Sequence, residues 1–292
     1  MNGARPDLSL AIIHYNTPEL LAACLQSVER HARPLFRRVL LIDSASDRGD
    51  LGPVRARFPW VETIALPDNR GFGRAANYAL RRLAEDDVLL LNADTELRPD
   101  AVEILADHLR AHPEVGIAGP RQIDGAGAWR PSCGGRPNLA EEWARRRQHR
   151  SPARETALVP GPVCWVSGSA LWIRRATLRA AGLFDERFFL YFEDIDLCLR
   201  AGRAGFAVHY LPAATVIHHG GASAATTPAR AEFEYRRSQL RFWQKHGGCA
   251  TRAAVRLWIA LRYSWRLFAA RRDSGDADQA RRVLRLVWRN DS

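Results

Sequence analysis

No two of the five cysteines stand in a Cys-x-x-Cys pair; they lie at positions 24, 133, 164, 198 and 249, odd in number and widely spaced. That argues against a disulfide framework and against a zinc site built on thiolate pairs, and it fits a reducing cytosol. Long apolar runs are missing as well. No stretch reaches the roughly 18 residues that a membrane-spanning helix needs. The start of the chain, MNGARPDLSLAIIHYN, turns to a strand pattern without the basic-then-apolar layout of a signal peptide. No internal repeat or low-complexity tract is evident. These absences lead us to expect a cytoplasmic protein, with peripheral attachment at the inner face of the cell membrane as an open alternative.

Negative charge is scarce towards the C-terminus. The 292 residues carry a net charge of +11, and from Ala229 to Ser292 there are 15 Lys or Arg against 6 Asp or Glu. A hydrophobic fraction of 47% and a charged fraction of 26% are those of an ordinary globular protein with ample core. The sequence pI of about 10.3 raises nucleic-acid binding, but no recognisable binding module accompanies the charge, so no nucleic-acid partner is expected. The basic end is patterned for helix. On a helical wheel Leu257, Trp258, Leu261, Trp265 and Phe268 share one face, while Arg252, Arg256, Arg262 and Arg266 group on another. Such a segment suits an interfacial membrane helix and a helix packed on the protein body equally well.

What the chain does have is a strand–helix rhythm. The apolar run Leu8 to Tyr15 suits a buried strand. It leads into a helix start with Thr17 as N-cap and Pro18 at the first helical position. Val39 to Ile42 predicts a second strand ending on Asp43, and Val61 to Leu66 a third. A Gly-containing turn in PDNRGFGRAANYALRRL then opens a helix. Val88 to Leu91 predicts a fourth strand ending on Asn92-Ala93-Asp94, followed by a helix over Asp100 to Arg110 and a strand over Val115 to Gly119. This order implies an α/β protein with a mainly parallel sheet wrapped by helices. In such sheets ligands gather outside the carboxyl ends of the strands. Tyr15, Asp43, Asn69 and Asp94 all fall just past such ends, although each one alone is an ordinary turn or cap residue.

The second half is less regular. Arg121 to Pro160 is rich in Gly, Pro and Arg, including ARRRQHR, and reads as a long irregular connection. Val163 to Arg174 returns to strand character, with Gly168 permitting close backbone approach. FFLYFEDIDLCLRAGRAGF, residues 188 to 206, brings Glu193, Asp194 and Asp196 to a helix start, where acids also complement the helix dipole. A last strand ends on His218 and His219.

Seven stretches, in this order, resemble the family 2 glycosyltransferases, and within them the rhamnosyltransferase-like branch: AIIHYNTPELLAACLQSV, LLIDSASD, DNRGFGRAAN, LLLNADTEL, VSGSALWIRR, GLFDERFFLYFEDIDLCLRAGRAGF and VIHHGGAS. The resemblance covers about Leu8 to Gly247. It implies a GT-A fold, a mixed, mainly parallel sheet flanked by helices. A glycosyltransferase domain would then span 1–247, with a nucleotide-sugar-binding half over about 1–120 and an acceptor-binding half over 121–247, and an amphipathic basic helical extension would follow over 248–292.

The resemblance also implies roles. Asp43 would bond the pyrimidine ring of the donor, with Tyr15 and Asn16 lining the same pocket. Asn69, Gly71 and Asn77 would lie beneath the ribose and diphosphate. Asp94 would be the last acid of a D-x-D motif holding Mg2+ or Mn2+ on the diphosphate. His218, in an H-x-x-G-x-S pattern completed by Gly221 and Ser223, would also reach the metal. Asp194 would be the general base, with Glu193 and Gly168 on the acceptor side. The chain departs from the family pattern at Asn92, where the fuller metal motif begins with Asp, and at Ser44, where many relatives have Asn. The implied reaction is an inverting transfer from a nucleotide sugar, dTDP-rhamnose or a UDP-sugar, to a cell-surface polysaccharide or lipid-linked glycan.

Overall fold

The computed structural model describes residues 7–47, 50–138, 159–220, 228–270 and 275–288. Strand β1, Leu8–His14, is buried along its whole length. Its mostly apolar sequence, LSLAIIH, is what a strand covered by helices on both faces requires. It lies between β2, Val39–Asp43, and β4, Asp87–Asn92, and pairs in parallel with both. Beyond β2 lies β3, Glu62–Ala65, also parallel. The chain therefore builds outward from β1 through β2 to β3 and then crosses back to β4 on the other side. That reversal opens a crevice at the carboxyl ends of β1 and β4, where open α/β sheets hold their ligands.

The sheet continues with β11, Ala170–Ile173, antiparallel to β4 and to β6, Val115–Ile123. β12, Ala207–His218, runs parallel to β6, and β5, Thr95–Leu97, is antiparallel to β12. The full order is β3-β2-β1-β4-β11-β6-β12-β5. The short strands β7 (Trp129–Arg130), β8 (Cys133–Gly134), β9 (Gly161–Pro162) and β10 (Trp165–Val166) attach to β6, to each other and to β12. Helices α1 (Pro18–His31), α2 (Gly52–Arg57), α3 (Phe72–Arg82), α4 (Ala101–Ala111), α5 (Arg175–Ala181) and α6 (Glu193–Arg203) complete this part. One core cluster joins α1 (Leu21, Leu25, Val28) to β1, β2, β4 and α4 (Val102, Leu105, Leu109).

Several expectations need correction. Thr17 occupies the N-cap position of α1, but its side chain makes no capping bond; instead its backbone N–H donates to the Nε2 atom of His14 at 3.2 Å. The expected strand over Val163 to Arg174 is split into β10 and β11 by Ser167-Gly168-Ser169. The irregular region from Arg121 contains β7 and β8, while 139–158, with its ARRRQHR run, lies outside the described residues. The brief strand β5 and the helices α2 and α5 have too few periodic residues to stand out in the sequence.

Contacts divide the chain into two compact units, one of Met1–Glu186 with Glu193–Ser223 and the other of Arg187–Phe192 with Ala224–Ser292. The second unit is helical: α7 (Pro228–His246), α8 (Cys249–Ala269) and α9 (Gly275–Trp288). Arg187–Phe192 lies along α7, with the Phe192 and Phe242 rings 5.2 Å apart and the Ser238 hydroxyl donating to the Leu190 carbonyl at 2.8 Å. Arg236, only 1% exposed, donates to the Tyr263 hydroxyl at 3.2 Å and to Gln239 at 2.6 Å, and lies over the Trp258 ring. A buried guanidinium is tolerable only with such partners. They tie α7 to α8.

Candidate active site

The polar residues of the first unit converge on the carboxyl edge of β1 and β4. At the end of β2 the Asp43 carboxylate accepts bonds from His14 Nδ1 at 2.8 Å, from the Ser46 hydroxyl at 2.5 Å and from the Ser46 N–H at 3.1 Å. His14 Nε2 is an acceptor, because it takes the Thr17 N–H, so the imidazole proton sits on Nδ1 and points at Asp43. Burial raises the Asp43 pKa, but the bonds from His14 and Ser46 outweigh it and hold the carboxyl below its usual range. Asp43 is thus a fixed acceptor. Asn16, at φ 56° just past β1, accepts the Asp47 N–H through its Oδ1 at 3.0 Å and donates its own N–H to Ser46. Asn is among the few residues that tolerate this left-handed backbone. Tyr15 beside it is half-buried. The buried hydroxyl of Ser44 has no hydrogen-bond partner among the described residues.

At the start of α3, Asn69 Oδ1 accepts the Gly71 N–H at 3.0 Å, and Gly71 takes φ 101°, which a side chain would strain. Asn77, expected on the donor, is committed elsewhere. Its amide donates to the Phe184 carbonyl and to Glu186 and accepts the Phe184 N–H, each at 2.9 Å. No donor hydrogen remains for a ligand. Asn77 braces the loop ahead of α6.

A second cluster joins the ends of β4, β6 and β12. Asp94 Oδ1 lies 3.3 Å from His218 Nε2. His218 Nδ1 lies 3.1 Å from Gln122 Oε1, and Gln122 Nε2 donates to the Ser169 hydroxyl at 2.6 Å. Because Gln122 offers an oxygen, His218 carries its proton on Nδ1, and in the neutral ring the Nε2 lone pair faces the Asp94 carboxylate. Two electron-rich groups aimed at each other suit a cation between them. Among the described residues no group of three His, Cys, Asp or Glu could hold a metal, so a cation here would need further oxygens from its substrate and from water, as Mg2+ sites on phosphates do. Asn92 presents a buried Oδ1 with no partner among the described residues. Cys24 is buried nearby, and burial together with the charges of Asp94 and Glu96 pushes its thiol up, so it stays protonated. Gly221 and Ser223 lie outside the described residues.

The acidic cluster separates into different jobs. Asp194 Oδ2 accepts the Gly168 N–H at 2.9 Å and Oδ1 accepts the Ile195 N–H at 2.8 Å. A Cβ on Gly168 would meet the Asp194 Cβ at 3.3 Å, which is why Gly stands there. Glu193 is 5% exposed, and its Oε2 has no partner among the described residues. Burial, reinforced by the Asp194 charge, raises its pKa well above the ordinary 4.5. Burial thus favours the acid form of Glu193 beside a bonded carboxylate, and in that form the first can donate a hydrogen bond while the second accepts a proton. Asp196 is fully buried and bonds Arg200 Nε at 2.8 Å, while Arg200 also holds the carbonyls of Ala181 and Leu183. Its work is structural. Tyr191 and Phe192, immediately upstream, both adopt φ 69°, a conformation costly for aromatic residues and common at functional turns.

The two clusters meet at Ser167-Gly168-Ser169. Gly168 holds Asp194, the Ser169 hydroxyl takes Gln122, and the Ser169 carbonyl accepts the Asn92 N–H at 2.9 Å and the Thr95 hydroxyl at 3.2 Å. A continuous path of covalent and hydrogen bonds runs Asp194–Gly168–Ser169–Gln122–His218, and its last member faces Asp94 at 3.3 Å. The sequence reading missed His14, Ser46, Gln122 and Ser169; a polar residue in a mostly apolar strand was the available signal for His14, while Gln122 lies past the expected end of its strand at Gly119.

Residues 6–249 match the family described as glycosyltransferase like family 2. The chain belongs to that family. It is 32% identical over 264 residues to N-acetylglucosaminyl-diphospho-decaprenol L-rhamnosyltransferase of Mycobacterium tuberculosis, a match covering 78% of this chain and 86% of that protein. This similarity supports the rhamnosyltransferase-like branch of the family. An N-acetylglucosaminyltransferase of Sinorhizobium fredii is 28% identical over 272 residues, 89% of this chain and 62% of that protein. Among solved structures the mannosyltransferase PcManGT from Pyrobaculum calidifontis, in complex with GDP-Man and Mn2+, aligns with a TM-score of 0.56 at 16% identity, covering 97% of this chain and 86% of that one. At that identity the likeness shows the fold, which is GT-A. This member of family 2 is a glycosyltransferase.

Proposed function

We propose that this glycosyltransferase moves rhamnose from a nucleoside diphosphate to a hydroxyl of a lipid-linked or cell-surface glycan, inverting the anomeric centre. The observation that supports the reading is the bonded path from Asp194 to His218, with Asp94 3.3 Å from its far end, which puts a proton acceptor and a cation-compatible pair in one frame. The acceptor hydroxyl oxygen attacks the anomeric carbon and its proton passes to Asp194. The carbon–oxygen bond to the diphosphate breaks as the new bond forms, and the nucleoside diphosphate leaves with the electron pair. Displacement by one nucleophile from the side opposite the leaving group inverts the centre. Glu193, kept neutral, donates a hydrogen bond that orients the acceptor. Asp43, held by His14 and Ser46, accepts the ring N–H of a pyrimidine base, and Asn16, Tyr15, Asn69, Gly71 and the Asn92 amide surround the nucleotide sugar. A Mg2+ or Mn2+ ion on Asp94 and His218, when bound, neutralises charge on the departing diphosphate.

The rhamnose donor rests on the branch, and the lipid-linked acceptor on the similarity to the mycobacterial decaprenol-linked rhamnosyltransferase. A UDP-linked N-acetylhexosamine donor is the second reading, favoured by the N-acetylglucosaminyltransferase relative; Asp43 reads the same ring edge in uracil and thymine. The free cysteines among the described residues suit work on the cytoplasmic side. The test is incubation with dTDP-rhamnose or UDP-N-acetylglucosamine, Mn2+ and synthetic polyprenyl-diphospho-N-acetylglucosamine, with the product linkage read by NMR. Rhamnosyl product of inverted configuration supports the reading. Transfer from the UDP-sugar alone moves the second reading to the front, and retained configuration refutes Asp194 as base in a single displacement.

A further inference from the structure

Helix α8 turns one face inward and leaves the opposite face bare. Val255, Ile259 and Tyr263 are buried, whereas Leu257, Leu261, Trp265 and Phe268 are 60%, 63%, 70% and 83% exposed. At 100° per residue those four fall within a sector of about 80°, together with the exposed Ala250 and Ala254. No charged residue lies in that sector along about 27 Å of helix. Arg262 borders one side of it and Arg256 lies beyond the other. Arg256 also bonds the Val287 carbonyl at 3.3 Å, bringing the end of α9, with Trp288 at 78% exposure, to the same level. The face expected to be shared by Leu257, Trp258, Leu261, Trp265 and Phe268 thus divides: Trp258 turns partly inward to Arg236, and the rest stay uncovered.

A continuous apolar stripe on the surface marks something that covers it. Charge decides between the possible covers. The segment Ala229–Ser292 holds 15 Lys or Arg against 6 Asp or Glu, so two such surfaces repel each other, while anionic headgroups attract the net excess of positive charge. Tryptophan favours the boundary between headgroups and acyl chains. No helix among the described residues is long and apolar enough to cross a membrane, so a helix of this pattern lies in the plane of the interface. We propose that the Leu257, Leu261, Trp265 and Phe268 face of α8 docks on an anionic phospholipid bilayer, with Arg262 at headgroup level. The inference uses no residue of the active site; it rests on the proposed function only in that a lipid-linked acceptor would be met at such a surface.

The test is flotation of the full chain with phosphatidylglycerol–phosphatidylethanolamine vesicles and with phosphatidylcholine vesicles at about 100 mM salt. Binding to the anionic vesicles should be at least about tenfold tighter than to the neutral ones, and Leu261→Gln/Trp265→Gln/Phe268→Gln should lose at least about tenfold. Arg262→Gln should lose about fivefold. Brominated lipid should quench Trp265, with the quenching reduced in Trp265→Phe. Protein left unbound with anionic vesicles, or a triple variant that floats as well as the wild type, overturns the proposal. So does a dimer that the triple variant dissolves while neither protein binds vesicles. Nucleotide titration of the same samples separates the two claims: intact nucleotide binding without flotation refutes only the docking face, and flotation without nucleotide binding refutes only the enzymatic reading.

Discussion

Replacing Asp194 with Asn keeps the side-chain volume and removes the proton acceptor. A positioned general base contributes about 10²- to 10⁴-fold, which at about 1.4 kcal/mol per tenfold raises the barrier by about 3–5 kcal/mol. There is a second, separable cost. Both Asp194 oxygens are occupied, one by the Gly168 N–H and one by the Ile195 N–H. An amide has one oxygen, so its NH2 must face one of those donors. A backbone N–H left without an acceptor costs about 1–3 kcal/mol, and in a protein of this size each kcal/mol lowers the melting temperature by about 2–4 °C. Asp194→Asn should therefore show kcat down at least about 10²-fold, a modest loss of thermal stability and nucleotide affinity within about threefold of wild type, since the lost interaction belongs to the acceptor side. Initial-rate release of nucleoside diphosphate reads the first, differential scanning calorimetry the second and equilibrium titration the third. A kcat within tenfold of wild type would refute the assignment.

Glu193→Gln tests the neutral acid: stability from a carboxyl with a raised pKa is full below about 4.5 and is lost as pH rises through the raised value, so the variant should melt above wild type near pH 8 with the gap closing towards pH 5. A gap independent of pH would show Glu193 ionised in the fold. Gln122→Leu leaves both cation-compatible groups in place but frees His218 Nδ1, and should weaken Mn2+ binding in the presence of nucleotide by about 10- to 100-fold; His218→Ala should weaken it at least as much, and unchanged Mn2+ titrations by electron paramagnetic resonance in both would remove His218 from the metal. Asn77→Leu breaks two buried bonds to Phe184 and a part-buried one to Glu186 and should cost about 2–5 kcal/mol in denaturant unfolding, with nucleotide affinity of the folded variant unchanged; a selective loss of nucleotide affinity would restore Asn77 to the donor site.

Most of the parallel half of the sheet was legible because β1, β2 and β4 are short, mostly apolar runs closed by a polar residue, as at Ile42–Asp43 and Leu91–Asn92. What escaped the sequence depends on long-range pairing. β5 is three residues long and exists because β12 lies beside it. The break at Ser167–Ser169 interrupts an otherwise continuous strand pattern, and its purpose, holding Asp194 and Gln122, is visible only once α6 and β6 are placed. Among the acids at the start of α6, spacing could not tell the buried structural Asp196 from Asp194, since three residues of helix carry them to different surroundings. Asn77 shows the converse, because a motif position can carry a family residue that the fold spends on its own loop. His14 was hidden by being read as the tail of an apolar strand, although its imidazole does most to fix Asp43.

The proposed mechanism needs a nucleotide site in which a cation would complete its shell with the diphosphate. Calorimetric titration of the full chain with dTDP and with UDP, each with Mn2+ and with chelator, tests it most directly. We predict binding of at least one nucleotide, weakened at least about tenfold when the metal is removed, and little Mn2+ affinity without nucleotide because Asp94 and His218 are the two proposed protein ligands. Failure of both nucleotides to bind with Mn2+ present would contradict the account.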